Sequence, residues 1–519
     1  MSRFTEEQKN YVNLNFPKYN TINEFSQEYA KHWGIPFSDT VRRSISKLLE
    51  REKLTSNIKT AEQSDDFKIA QTRKLNPSSF YIITSEMNET PLHQKFWNNL
   101  LAYKEFLKAE LSVIPLRYKN PTSVYKEKIH ENWSPQTKEY LDAARHDIHK
   151  YLTILADVKT QPTAVLPLSG MEDISGSKSA VIGHPKLHLQ ALPVLEGHPK
   201  KIILTTGSVS IPNYTDSKAG KKGENHHKNG FVIVEINSKE EFYIRQCEAA
   251  EDGSFIDLIY EVENGAIRKI DKCAAIVMGD VHVSEIDEEV NLETEHLLNC
   301  CTPDYLILHD IFNGISCNRH LVKDPIAQFK RYDEGNHLIE VELNEMKRWV
   351  ANKLKYHPVI VNSNHNEWLT KYINEDWRKD IANSLVYMKY AQVLLEGNAP
   401  KGLIAHILEE EFGNQIITLG ENDSFIVASH ELGVHGHLGS NGSRGSFEQY
   451  RKLNYPVITG HSHTPMRRDN AISVGTSTIL RPGYNKGASS WLHAHVILHD
   501  NGRAQQLIFI NNKFTTFLD

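Results

Sequence analysis

An α/β protein, with an N-terminal helical region and a β-rich intermediate region, is predicted for this 519-residue chain by three observations. Short apolar runs of strand length recur after Lys272, separated by loops and by segments of helical periodicity. Helix-spaced apolar residues dominate the chain up to about Leu155. Between about Thr160 and Asp271 the pattern turns to β-type runs with Gly, Pro and Asn between them.

The composition agrees. Hydrophobic residues at 39% and charged residues at 24% are those of a globular protein, and 519 residues leave room for about two to four domains. With Lys+Arg 59 against Asp+Glu 65, the net charge of -6 argues against coating nucleic acid by bulk positive charge, though local basic patches remain open. The charged start from Met1 to Lys9 lacks a signal peptide's apolar stretch, and no run approaches the ~18 apolar residues of a membrane span, so a cytoplasmic protein without membrane contact is expected. Cys247, Cys273, Cys300, Cys301 and Cys317 are odd in number and form no C-x-x-C pair, which favours buried free thiols over disulfides or a thiolate zinc site. The 26 histidines direct attention to metal or acid–base chemistry.

Residues 1–60 read as a helix-turn-helix-like module. Ile22, Phe25, Tyr29 and Trp33 share one helical face, Gly34 ends that helix, Ser38 caps the next, and Val41, Ile45, Leu48 and Leu49 form the second stripe. The opposite face carries Arg42, Arg43, Lys47 and Arg51, either a DNA-phosphate contact or the solvated side of a small docking module. Residues 61–158 are expected to be mainly helical, with Phe96, Leu100, Tyr103, Phe106 and Leu107 as core. Within the β-rich region 159–271, the runs 201–206 and 231–236 are strands. The long polar loop 213–228 reads as either a phosphate-contacting loop or a mobile surface loop.

The remaining residues, 272–519, repeat strand, loop and helix. Runs 274–278, 305–308, 358–361 and 456–458 suit a sheet covered on both faces, and Leu343, Met346, Val350 and Leu354 mark a crossover helix. Metal-ligand residue types follow these runs, where open α/β sheets place their sites. They are Gly279-Asp280-Val281-His282, His309-Asp310, Ser363-Asn364-His365-Asn366 and Gly460-His461-Ser462-His463, with Gly433-Val434-His435-Gly436-His437 before the last. Each is weak alone, although G-H-x-H is expected only ~0.1 times by chance; their ordered recurrence carries the case. Asp, His and Asn without thiolates suit Mn²⁺, Zn²⁺ or Fe, and two such ions bridged by a carboxylate can activate water against a phosphoryl group while a histidine protonates the leaving oxygen.

This ordered set resembles the calcineurin-like metallophosphoesterase superfamily, whose motifs run D-x-H, G-D, G-N-H-(D/E), H and G-H-x-H. The resemblance covers roughly Ala274 to the C-terminus and implies a β-sandwich flanked by helices. Two divalent ions are implied, Mn²⁺ foremost with Zn²⁺ or Fe as alternatives. Asp280, His282 and His463 would hold one ion, Asp310 would bridge both, and Asn364, His435 and His461 would hold the other. His365 would be the proton donor. His435 is preferred over His437 and His430 because His-Gly follows the apolar Val434. Two departures stand out: His309 replaces the usual Gly before the bridging Asp, and Asn366 replaces the acidic residue that often tunes the donor histidine.

The substrate is read from the flanks. Arg444, in the Gly/Ser-rich stretch 435–446, and Arg319 and His320, after the loop that begins at Asp310, are candidate phosphate contacts, as are Arg42 and Arg43. Together with the segment from about Lys186 to His227, these loops resemble pre-early DNA-degrading proteins of tailed phages. That likeness implies a manganese-dependent DNase related to the nuclease subunit of repair exonuclease complexes, acting on DNA in the host cytoplasm, with self-association left open. A metal-dependent phosphatase or nucleotide phosphodiesterase is the alternative.

Overall fold

The computed structural model describes residues 4–18, 22–51, 65–117, 132–318, 324–376, 378, 380–453 and 455–518. They fall into two compact units, a small one within Met1–Lys68 and a large one that starts at Ile69.

The small unit holds three helices, Glu6–Asn15, Ile22–His32 and Asp39–Arg51. Thr5 and Gln8 form a capping box on the first, a helix that the apolar spacing of the sequence did not reveal. Gly34, at φ +61°, follows the second, and Ser38 Oγ accepts a 3.4 Å hydrogen bond from Val41 N at the start of the third. Val12, Phe16, Phe25, Tyr29, Ile45, Leu48 and Leu49 close one core. Arg43 and Lys47 are exposed and Arg42 is half-buried.

In the large unit, a six-stranded sheet runs in the order Ile417–Thr418, Pro358–Ile360, Thr302–Leu308, Lys272–Val277, Ala494–Leu498, Ala504–Ile508. Its first four strands are parallel. Alternate residues face opposite ways, as the pleat requires. Ala275 and Val277 join Ile458, Ile472 and Val474 of a ten-stranded sheet in one apolar cluster. Ile276 joins Leu343, Met346 and Val350 of the expected crossover helix, Ile339–Ala351, in another.

Three expectations are corrected here. The run at 456–458 forms Val457–Thr459 in the ten-stranded sheet rather than in the sheet of the other three runs. Among its described residues the stretch 61–158 is not mainly helical: beside the helices Asp65–Thr72 and Gln94–Leu107 it holds the strands Phe80–Met87, Glu110–Leu116, Arg145–His149 and Leu152–Leu155. Both Phe80–Met87 and Glu110–Leu116 are buried almost throughout, so the alternation that would have exposed them in the sequence is missing. The polar loop 213–228 is neither loop throughout nor wholly outside the core. Ser217 caps a helix, Lys218–Asn225, beneath which Asn213 and Tyr214 are buried.

The ten-stranded sheet also runs through the expected boundary at 271, since Leu189–Leu192 pairs with Met466–Arg468. A buried charge cluster reinforces that junction. Glu248 receives Lys228 Nζ at 2.8 Å and Arg503 Nη1 at 3.1 Å, and also pairs with Arg467. Burial alone would push its carboxyl up, but the three cations outweigh it and hold it at about 2. The folded value lies below the unfolded value of about 4.3, so this stabilisation is complete above pH ~4.3 and lost as pH falls through about 2. Glu248→Gln should therefore cost roughly 3 kcal/mol at neutral pH, and denaturant unfolding should show the gap to wild type closing between those two values.

All five cysteines are free, four of them buried. Among the described residues, no helix is long and apolar enough to cross a membrane.

Candidate metal centre

Because the strands Lys272–Val277, Thr302–Leu308 and Pro358–Ile360 are parallel, the loops after them leave one edge of the sheet together. The first two loops continue side by side, with Val281 N donating to His309 O at 3.0 Å and His282 N to Asp310 O at 2.7 Å. Val457–Thr459 delivers Gly460, His461 and His463 to the same place from the other sheet. Gly460 N donates to His435 O at 2.8 Å, and His461 N to Asp280 Oδ2 at 2.8 Å.

Backbone geometry there is unusual for residues with side chains. His282 (φ +42°), Asp310 (+47°), His461 (+74°) and His463 (+54°) all occupy the left-handed region, a cost that the surrounding packing sustains where function requires it. At Gly460 only glycine fits, because a Cβ would collide with Asp280 Oδ1 and press on the His309 ring.

The side chains converge. Asp280, His282, Asp310 and His463 are buried, and each offers a ligand atom within 4.8 Å of the others'. His282 Nε2 lies 3.3 Å from His463 Nε2, His463 Nε2 lies 3.1 Å from Asp280 Oδ2, and His282 Nε2 lies 3.7 Å from Asp310 Oδ2. On the other side, His435 Nε2 is 3.1 Å from Asp310 Oδ2 and 3.1 Å from Asn364 Oδ1. The His461 ring centroid is 5.3 Å from that of His435. The structure thus brings the seven candidate ligands close together, and of the three rival histidines it is His435 that lies against Asp310 and Asn364. His430 bonds to Ala428 O and lies near Glu248, while His437 turns toward Glu367.

Electrostatics suit a cation. Burial pushes the Asp280 carboxyl up, but His435 and His463 outweigh it and hold it at about 2; Asp310 is likewise held well below its usual range. Burial, reinforced by His365, lowers His282 to about 3, and burial with His435 lowers His461 to about 4, so both imidazoles are neutral. His435 is raised instead, because Asp310 and Asp280 overcome its burial. Asp280 Oδ1 and the Nδ1 atoms of His282 and His463 are buried without hydrogen-bond partners. Ionised carboxylates and neutral imidazoles fit hard-to-borderline divalent ions.

His365 stands at the rim. Its Nδ1 lies 2.7 Å from Asn313 O, its ring stacks on Trp368 at 4.6 Å, and it meets the His282 ring edge-on at 4.4 Å. Asn366 does not address this histidine at all. It is buried, accepting from Phe312 N and donating to Val361 O at 3.4 Å each, so the carbonyl of Asn313 is the group that orients His365. The loop bearing Asn313 is fixed from behind by Glu342, whose carboxylate accepts from the N–H groups of Gly314 (2.7 Å) and Ser316 (2.9 Å). Glu342 carried no motif signal, and Asn313 stood out only as part of the loop that begins at Asp310, without a role of its own. The buried His309 packs 5.4 Å from the His435 ring.

Among the candidate substrate contacts, Arg444 is exposed. Its loop doubles back so tightly, with Gly445 N donating to His437 O at 2.8 Å, that backbone packing accounts for Gly445. Arg42 and Arg43 belong to the small unit, and Arg319 and His320 lie outside the described residues.

Fold and site together define a mixed α/β protein with a buried Asp/His cluster of the kind that metal-using enzymes carry. The chain belongs to the family of Protein A1 of Escherichia phage T5, to which it is 30% identical over 470 residues, 84% of this chain and 82% of that protein. No family model matches the chain, and no solved structure matches it.

Proposed function

We propose that the chain is a two-metal phosphodiesterase of the calcineurin-like type that hydrolyses DNA, acting for a phage in the host cytoplasm. The observation that carries this reading is the position of Asp310. Its Oδ2 lies 3.1 Å from His435 Nε2 and 3.7 Å from His282 Nε2, so one carboxylate serves two donor sets. In this reading Asp280, His282 and His463 hold one ion with Asp310, and Asn364, His435 and His461 hold the other. Mn²⁺ is the foremost candidate, ahead of Zn²⁺ or Fe. When bound, such a pair supplies positive charge to the phosphoryl group and lowers the pKa of water.

The chain's own residues do the rest. His365 donates its Nδ1 proton to Asn313 O, which fixes the ring and leaves Nε2 to carry the proton that the departing oxygen takes. Trp368 holds the ring plane by stacking. Arg444 and, from the small unit, Arg42 and Arg43 supply DNA-phosphate contacts. The two-sheet core with helices outside it is what a sandwich of this type requires.

The test is to incubate the protein with linear and circular DNA, p-nitrophenyl phosphate and bis-p-nitrophenyl phosphate, with Mn²⁺ or EDTA. DNA and the diester should be cleaved only with Mn²⁺. Rapid monoester hydrolysis with intact DNA would replace this reading by the phosphatase alternative.

A further inference from the structure

Beside the centre lies a second donor cluster, to which the motifs contribute only His437. Glu367, in the first turn of the helix Asn366–Ile373, Glu421, just past the strand Ile417–Thr418, and His437 each offer a ligand atom within 4.8 Å of the others'. His437 Nε2 lies 3.8 Å from Glu367 Oε1. Although the His437 side chain is only 11% exposed, both its ring nitrogens are buried and make no hydrogen bond. An imidazole shielded from water at both nitrogens loses its hydration without compensation unless a partner is supplied, and a metal ion is one such partner. The His437 ring is 5.4 Å from that of His435, so the cluster adjoins the centre without sharing its ligands.

We propose that Glu367, Glu421 and His437 form a separate divalent-cation site, taking Mn²⁺ or Zn²⁺. Two carboxylates and one imidazole give the hard-to-borderline donor set such ions prefer, and three protein ligands leave coordination positions for water or a phosphate oxygen. Lys371 Nζ, 2.6 Å from Glu367 Oε2, is half exposed and free to turn into solvent when an ion enters. The site does not depend on the binuclear reading, but beside it a further cation would add charge along the path of a polyanionic substrate.

Mn²⁺ stoichiometry of the full chain tests the proposal, by equilibrium dialysis with elemental analysis and by electron paramagnetic resonance of free Mn²⁺. Wild type should saturate at three ions per chain, Glu421→Gln at two, and Asp310→Asn should keep the ion at this cluster. Because Glu421 is exposed, the first variant should keep its circular dichroism spectrum. Saturation of wild type at one ion, lost in Glu421→Gln but kept in Asp310→Asn, would uphold this site while rejecting the binuclear one. A wild-type value of two lost in Asp310→Asn, or an unchanged value in Glu421→Gln, would overturn the proposal.

Discussion

Asp310→Ala is expected to strip the protein of the ions of its centre and to abolish DNA cleavage. Asp310 faces both halves of the donor set, so its loss disables two sites rather than one. A bound ion contributes several kcal/mol to charge stabilisation in phosphoryl transfer, so the rate should fall by ~10³-fold or more. Elemental analysis checks the first part and a DNA cleavage assay the second. The circular dichroism spectrum should be unchanged, because the side chain ends a strand loop and belongs to neither apolar cluster.

His365→Ala should behave differently, retaining the ions of the centre while kcat for DNA falls by ~10²–10⁴-fold. Its ring lies edge-on against His282 and its Nδ1 is already engaged by Asn313 O. The leaving group provides a second readout. A deoxyribose oxygen needs a proton as it departs, whereas p-nitrophenolate does not, so hydrolysis of bis-p-nitrophenyl phosphate should fall far less than that of DNA. Loss of ions in His365→Ala would show instead that this histidine is a ligand.

The convergence of Asp280, Asp310 and Asn364 was legible because their loops follow parallel strands of one sheet, while His435, His461 and His463 reach the same place from the other sheet. What spacing could not decide was the choice among His430, His435 and His437, which depends on which imidazole reaches Asp310 and Asn364 across the sheet junction. The cluster of Glu367, Glu421 and His437 was invisible for a related reason: three polar residues far apart in sequence meet only through the loops that follow two different sheets. In the fold, Phe80–Met87 escaped because both of its faces are covered, and the helical spacing of Gln94–Leu107 coloured the reading of its neighbours. The sheet that joins Leu189–Leu192 to Met466–Arg468 leaves no local trace either, since its partners are some 280 residues apart.

The histidine excess now has a wider account than metal binding. His227 bridges Tyr214 Oη at 3.0 Å and Ser210 O at 2.8 Å, and His188 meets Asp469 at 3.2 Å. His495 accepts from Gly279 N at 3.0 Å and pairs with Thr294 Oγ1 at 2.9 Å, steadying the turn into Asp280. These rings act as buried hydrogen-bonding spacers, a use that composition does not distinguish from ligation.

Anomalous diffraction from crystals grown with Mn²⁺ tests most directly whether Asp310 is shared between two metal ions. Two peaks ~3.5–4 Å apart are expected on either side of the Asp310 carboxylate, one toward His282 and His463 and one toward Asn364 and His435. A single peak there, or none, would contradict that sharing.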